Sequence, residues 1–194
     1  MLSTVVREGR ARYREHDFCR IDTISMRTIT TARLVMRPPT RDDFEDSAML
    51  WADPEIVRYI GGKPATREEA WARLTRNVGH WALQGFGVWT VRERDTGRYT
   101  GEVGLFDFKR NITPSLAGAQ EMGWVLGNRA QGMGYATEAV RAAITWSQQK
   151  FPGARLVCMI DPGNAPSLRV AEKCGFTEYA RTTYKESEVL LLER

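Results

Sequence analysis

Gln131-Gly132-Met133-Gly134-Tyr135-Ala136 stands between an apolar run, Glu121-Met122-Gly123-Trp124-Val125-Leu126, and a segment whose apolar residues Ala139, Val140, Ala143 and Ile144 fall at helical spacing. Glycines at a strand-to-helix junction let the backbone come close to a ligand and take conformations closed to other residues. The helix beyond offers unpaired N–H groups and the positive end of its dipole. The stretch therefore reads as a cradle for an anion such as a diphosphate, with no side-chain charge required.

Three nucleotide motifs compete for such a turn. A dinucleotide fingerprint needs a third glycine, and Thr137 occupies that position. A phosphate loop needs Gly-Lys-Ser/Thr, whereas Gly62-Lys63 runs into Pro64. A plain structural turn stays open on these residues alone.

Outward from the turn, the chain alternates strands and helices. Upstream, Arg33 to Arg37 alternates as a half-buried strand stopped by Pro38-Pro39, and Thr40 with Asp42 and Asp43 opens a helix through Phe44, Ala48 and Trp51. Asp53-Pro54 starts a second helix carrying Ile56, Val57 and Ile60, ended by Gly61-Gly62. Thr66 and Glu69 form a capping box ahead of Ala70, Trp71, Leu74, Val78 and Trp81. Strands over Gly87 to Glu93 and Tyr99 to Phe108 flank the turn Arg94-Asp95-Thr96-Gly97. Downstream, a helix from Ala136 to about Phe151 precedes the apolar run Arg155 to Ile160, which reads as a central strand. A helix over Ala165 to Lys173 closes at Gly175, and strands over Thr177 to Tyr184 and Ser187 to Leu192 finish the chain. The class is α/β with mostly antiparallel hairpins and one β–turn–α–β crossover.

Residues 1–28 differ: arginines interspersed with acids show poor apolar periodicity, and we expect a poorly ordered arm there, followed by one domain over 29–194. The 194 residues suffice for one sizeable core, and 42% hydrophobic with 27% charged residues is ordinary globular composition. No apolar run approaches the roughly 18 residues of a transmembrane helix and no leader-like segment stands out, so a cytoplasmic location is the default. Cys19, Cys158 and Cys174 make neither a disulfide framework nor a zinc knuckle, and with His16 and His80 as the only histidines no metal is expected. The net charge of +4 lacks a basic stripe with interleaved aromatics, so nucleic acid is not the expected partner. We expect a monomer or homodimer.

The ordered set of motifs resembles the GNAT family of N-acetyltransferases. Gln131 to Ala136 matches the family's Q/R-x-x-G-x-G/A turn, and Asn164-Ala165-Pro166-Ser167, leading to Lys173-Cys174-Gly175-Phe176, is similar to its second block. Thr31 to Pro38 and Gly134-Tyr135-Ala136-Thr137-Glu138-Ala139 are similar to the branch that acetylates alanine and serine N-termini of ribosomal proteins. The resemblance covers about residues 29 to 192 and implies a mixed, mostly antiparallel sheet with a splayed parallel pair. It implies acetyl-CoA as co-substrate, with pantetheine on the backbone of Trp124, Val125 and Leu126. The pyrophosphate would lie on Gln131, Gly132, Met133, Gly134, Tyr135, Ala136 and Thr137. Asn164 would contact pantetheine or serve as an ordinary loop asparagine, and Arg129 and Lys173 would reach phosphate oxygens or simply stay solvated.

Acetyl transfer to an amine needs a base for the ammonium proton, a stabilised oxyanion and help for the leaving thiolate. Glu121 is the candidate base, because a carboxylate in a partly apolar cleft is pushed towards neutrality; an ordinary strand-end glutamate is the competing reading. Glu102 and Asp107 are weaker alternatives. Many relatives carry a thiolate-protonating tyrosine seven residues after the block's asparagine, and here that position is Ala171. Ser167 is the nearest hydroxyl and the candidate acid; it equally suits the N-cap of the next helix. The tryptophans Trp51, Trp71, Trp81, Trp89, Trp124 and Trp146 read mainly as core anchors, with lining of the acceptor pocket the rival reading for Trp81 or Trp89. Cys158, in a buried strand with no histidine nearby, is rejected as a nucleophile. The expected activity is direct transfer to a primary amine, a protein N-terminus or a small molecule. The rival is a CoA-binding sensing or scaffold module without catalysis.

Overall fold

The computed structural model describes residues 27–194. The arm expected over residues 1–28 lies outside the described residues except for Arg27 and Thr28. Among the described residues there are eight strands: β1 (Ile29–Thr30), β2 (Leu34–Arg37), β3 (Val88–Glu93), β4 (Tyr99–Phe106), β5 (Gln120–Leu126), β6 (Leu156–Ile160), β7 (Thr177–Tyr184) and β8 (Ser187–Glu193). They form one sheet in the order β1-β2-β3-β4-β5-β6-β8-β7, in which only β5 and β6 pair in parallel. The helices are α1 (Phe44–Ala52), α2 (Pro54–Val57), α3 (Arg67–Gln84), α4 (Tyr135–Lys150) and α5 (Ala165–Lys173).

Period-two alternation sends Leu34 and Met36 of β2, Trp89 and Val91 of β3, and Val103 and Leu105 of β4 to one face. There they meet α4, whose apolar stripe of Ala139, Val140, Ala143 and Ile144 is fully buried. The two alanines let the helix axis approach the sheet. Gln120 extends the same face and accepts a hydrogen bond from the buried Ser147 hydroxyl of α4. The opposite face carries a separate cluster, in which Leu50 and Trp51 of α1 and Ile56 and Val57 of α2 pack with Val125 of β5.

Three local differences from the sequence reading have physical causes. The helix expected from Asp53 to Ile60 stops at Val57, because Gly61 and Gly62 take left-handed φ of 85° and 68° and the chain turns early. β4 ends at Phe106; Phe108 leaves the ladder to stack on Phe106 with ring centroids 4.5 Å apart. β1 was not read from the sequence: Ile29 and Thr30 carry no alternation of their own and are extended only by pairing with Met36 and Val35.

Trp81 and Trp89 take the core reading and not the pocket one. They are 3% and 0% exposed and pack edge to face with each other and with Trp146, at centroid distances of 4.9 to 5.6 Å. They anchor the core on the α4 side and line no acceptor pocket.

Candidate active site

β4 holds β5 along its whole length, from Gly101 opposite Leu126 to Phe106 opposite Glu121. β6 pairs with β5 only at Gln120–Leu156 and Glu121–Val157. Past Glu121 the parallel strands part, so one edge of β5 from Met122 to Leu126 has no ladder partner, and neither does the facing edge of β6. Free backbone N–H and C=O groups at such an edge need partners. Trp124, Val125 and Leu126, the expected pantetheine residues, lie on this edge and are half-buried. Gly123 is there for space: a Cβ would sit 2.5 Å from Cζ of Phe106, whose ring crosses β5.

The open edge leads into the glycine turn. After a short 3-10 turn over Asn128–Ala130, Gly132 and Gly134 adopt φ of 75° and 77°, the left-handed region that favours glycine. Gly134 is the N-cap of α4, and no side chain caps the helix. The first helical bond there is Glu138 N–H to Gly134 carbonyl at 3.1 Å, so the amides of Tyr135, Ala136 and Thr137 have no partner within the helix. Beside them lies an open cavity of about 500 Å³ lined by Arg33, Gly134, Thr137, Glu138, Arg141 and Lys173.

Arg33 and Arg141 were not singled out from the sequence. Arg33 donates to the Met133 carbonyl at 2.9 Å, pairs with Glu138 at 2.7 Å and stacks on the Tyr135 ring. It braces the turn from the bend between β1 and β2, 100 residues upstream, which no local pattern reveals. Arg141 had a signal: it follows Thr137 by four residues on α4 and so shares its face. It donates to the Lys173 carbonyl at 2.8 Å, tying α4 to the end of α5. Burial pushes the Glu138 carboxyl up, but hydrogen bonds from Thr31, the Arg33 N–H and the Arg33 side chain outweigh it and hold the group below its ordinary value. A negative charge at the mouth of an anion site is thereby matched by Arg33.

The other predicted binding residues divide. Lys173 lines the cavity, whereas exposed Arg129 does not. Gln131 donates its side-chain amide to Asn128 at 2.9 Å, and Tyr135 turns inward, its hydroxyl 3.3 Å from Glu93, so both meet the turn through their backbone. Asn164 is the N-cap of α5: its Oδ1 accepts from the Ser167 N–H at 3.2 Å. Ser167 is therefore not the cap, and that duty falls to Asn164.

Glu121 sits where the strands part, 7% exposed, with both carboxylate oxygens held by Arg110: Nε to Oε2 at 2.6 Å and Nη2 to Oε1 at 2.8 Å. Burial lowers the Arg110 pKa, but the bond to Glu121 more than offsets it. Glu102, on the same face of β4, is buried and accepts only from neutral donors: Ser47 hydroxyl at 2.6 Å, Trp51 Nε1 at 3.2 Å and Tyr99 hydroxyl at 3.1 Å. Asp107 is engaged by the Lys109 ammonium at 2.6 Å. Ala171 is fully buried in the core, so its position has no hydroxyl and no opening to the cleft. Burial drives the Cys158 thiol far up, which leaves it protonated and unreactive.

A splayed parallel pair that ends in an uncapped glycine turn is the arrangement the motif resemblance implies, and the family model of the acetyltransferase (GNAT) domain matches residues 33–177. The chain belongs to the GNAT acetyltransferase family. It is 31% identical over 151 residues to the protein YkkB of Bacillus subtilis, covering 75% of this chain and 81% of that protein. A GNAT-family acetyltransferase structure from Bordetella pertussis superposes with a TM-score of 0.77 at 29% identity, covering 86% of this chain and 98% of that one. The fold is shared more distantly with a spermidine N-acetyltransferase from Vibrio cholerae in complex with CoA and spermine (16% identity, TM-score 0.68, 84% and 96% covered). Among the described residues, no helix is long and apolar enough to cross a membrane.

Proposed function

We propose that this GNAT protein moves the acetyl group of acetyl-CoA to a primary amine by direct transfer. The observation that carries the reading is the continuous path from the open edge of β5 to the uncapped start of α4. Extended amide groups are complemented along that edge, and a diphosphate is complemented at its end. Lys173 and Arg141 add positive charge there, with Arg33 offsetting Glu138. In the reaction the acceptor ammonium first loses a proton, its nitrogen then bonds to the thioester carbonyl carbon, and the carbon–sulfur bond breaks. The bonded nitrogen gives up a second proton and the leaving thiolate takes one up, so the products are the N-acetyl amine and the CoA thiol.

Glu121, at the point where β5 and β6 part, receives the amine proton directly or through water; the ion pair with Arg110 fixes its orientation. Ser167, in the first turn of α5, supplies the proton or hydrogen bond to the leaving thiolate. The amine is a protein N-terminus or a small molecule, and relatives with this fold differ in their acceptors. The spermidine enzyme acts on a polyamine, and the motif resemblance points to ribosomal N-termini.

One pair of observations favours the second reading, a CoA-binding module without catalysis. Both oxygens of Glu121 are already engaged by Arg110, and Ala171 stands where many relatives have a tyrosine. Thiol release from acetyl-CoA across a panel of amines and N-terminal ribosomal peptides separates the two. We expect turnover that falls by about a hundredfold or more in Glu121→Gln, with acetyl-CoA affinity retained. Binding without turnover across the panel supports the module. A loss well under tenfold in Ser167→Ala removes Ser167 from the mechanism.

A further inference from the structure

The face of the sheet opposite α4 carries a second set of groups that the transfer chemistry does not use. On α3, Arg73 and Arg76 are three residues apart and share one side of the helix. The Arg73 guanidinium carbon lies 3.6 Å from the centroid of the Trp51 ring, and its Nε is buried with no hydrogen-bond partner. The Arg76 guanidinium carbon lies 4.8 Å from the centroid of the Phe108 ring. The same ring has Arg110 at 5.0 Å, and Arg110 grips Glu121. The arginines therefore border the place where β5 loses its neighbour.

Among the described residues, neither Arg73 nor Arg76 has a carboxylate within ion-pair distance. The facing carboxylates are committed: Glu102 to Ser47, Trp51 and Tyr99, Glu121 to Arg110, and Asp107 to Lys109. Partial burial lowers the pKa of both guanidinium groups, followed by the charge of Arg76 on Arg73 and of Arg110 on Arg76; Glu102 acts in the other direction on both, and Glu69, which caps α3, does so on Arg73. Arg73, half-buried, holds its positive charge partly out of water at a cost that an incoming anion relieves, and Arg76 stands exposed beside it. A guanidinium stacked on an aromatic ring has its plane fixed and its N–H edge free, the geometry that a carboxylate takes in a forked pair.

We propose that the acceptor amine carries a carboxylate, which docks on Arg73 and Arg76 while the amine reaches Glu121. This deepens the acetyl-transfer reading and rests on it. A free amino acid and a peptide with an acidic side chain near its N-terminus supply the same chemistry; a polyamine has the wrong charge.

The test compares matched acceptors that differ only in that charge. L-alanine and L-phenylalanine are each assayed against the α-carboxamide, and a C-terminally amidated tetrapeptide whose one carboxylate is an aspartate side chain against its asparagine counterpart, alongside spermine. In the wild-type protein kcat/KM is expected to be at least about tenfold higher for the best acid than for its neutral partner, a difference typical of one charge-assisted contact. In Arg76→Gln the acid loses at least about tenfold more than the neutral partner, mainly through KM, and Arg76→Lys recovers part of the loss. Equal rates for acid and amide, a preference for spermine, or equal losses for both partners in Arg76→Gln overturn the proposal.

If no amine releases thiol although acetyl-CoA still raises the melting temperature, the transfer reading itself fails. The anion site is then decided by calorimetric titration of the same acids and amides into the CoA complex. Acid-selective binding that disappears in Arg76→Gln supports the site, and its absence in the wild type overturns it.

Discussion

Helices α3 and α4 are similar in length, 18 and 16 residues, and each must deal with unpaired N–H groups at its start. α3 closes its end with its own side chains: Thr66 Oγ1 accepts from the Glu69 N–H at 3.2 Å, and the Glu69 carboxylate accepts from the Thr66 N–H at 2.8 Å. The 3-10 turn ahead of α1 is closed too, since Asp43 accepts from the Thr40 N–H at 2.8 Å. α4 begins at a left-handed glycine with no side-chain cap, beside a basic cavity. Where stability is the only demand, the chain satisfies its own amides. Where it leaves three of them bare next to Arg33, Arg141 and Lys173, the complement is an anion from outside.

The contrast breaks or sharpens by substitution at each kind of start. The largest effect is expected at Asp43, which is 1% exposed and held by Arg37 at 2.7 and 2.8 Å and by Arg92 at 3.0 Å. Asp43→Asn is expected to cost about 3 kcal/mol in urea unfolding, because Arg37 loses its counter-charge and Arg92 is left with Asp46 alone. The affinity of the folded protein for CoA should stay within about twofold of the wild type. The cost is pH-dependent. Burial pushes the Asp43 carboxyl up, but Arg37, the Thr40 N–H and Arg92 outweigh it, so its folded pKa lies below the unfolded value of about 4. Its contribution is complete above that unfolded value and is lost as pH falls through the folded one. The gap between wild type and variant should therefore narrow below about pH 4.

A middle effect is expected at Gly134. A β-branched side chain is strained at φ 77°, so Gly134→Val should lose about 2 kcal/mol of stability and at least about tenfold in acetyl-CoA affinity by calorimetry. The smallest is at Thr66. Thr66→Ala should cost about 1 kcal/mol and leave CoA affinity alone, a closed cap being purely structural. If Thr66→Ala weakened CoA as much as Gly134→Val, the distinction between closed and open starts would fail.

What could be read beforehand followed from how local each feature is. The capping box at Thr66 and Glu69, the paired glycines before α4 and the alternation in β2 to β5 all lie within a few residues, so their physics shows in the sequence. Arg33 and Arg110 do not: the first reaches the turn across 100 residues, and the second reaches Glu121 from a loop. Asn164 satisfies backbone as the cap of α5, the duty the sequence equally offers to Ser167. Trp81 and Trp89 carried no local sign of which face they would take, and packing with Trp146 settled it.

The parting of β5 and β6 also gives the sheet two edges in its interior. Its outer margins are blunt: β1 has two residues, and β7 alternates polar side chains along an exposed strand. The inner edges are of the opposite kind, with Trp124, Val125 and Leu126 facing Cys158, Met159 and Ile160. An apolar strand with unpaired backbone is a template for adding foreign strands, and on an outer margin it would invite aggregation. Here it is sunk between two halves of one sheet, where another folded chain cannot lie alongside. The fold carries its stickiest backbone as an internal seam, and so keeps an adhesive surface without becoming an adhesive protein.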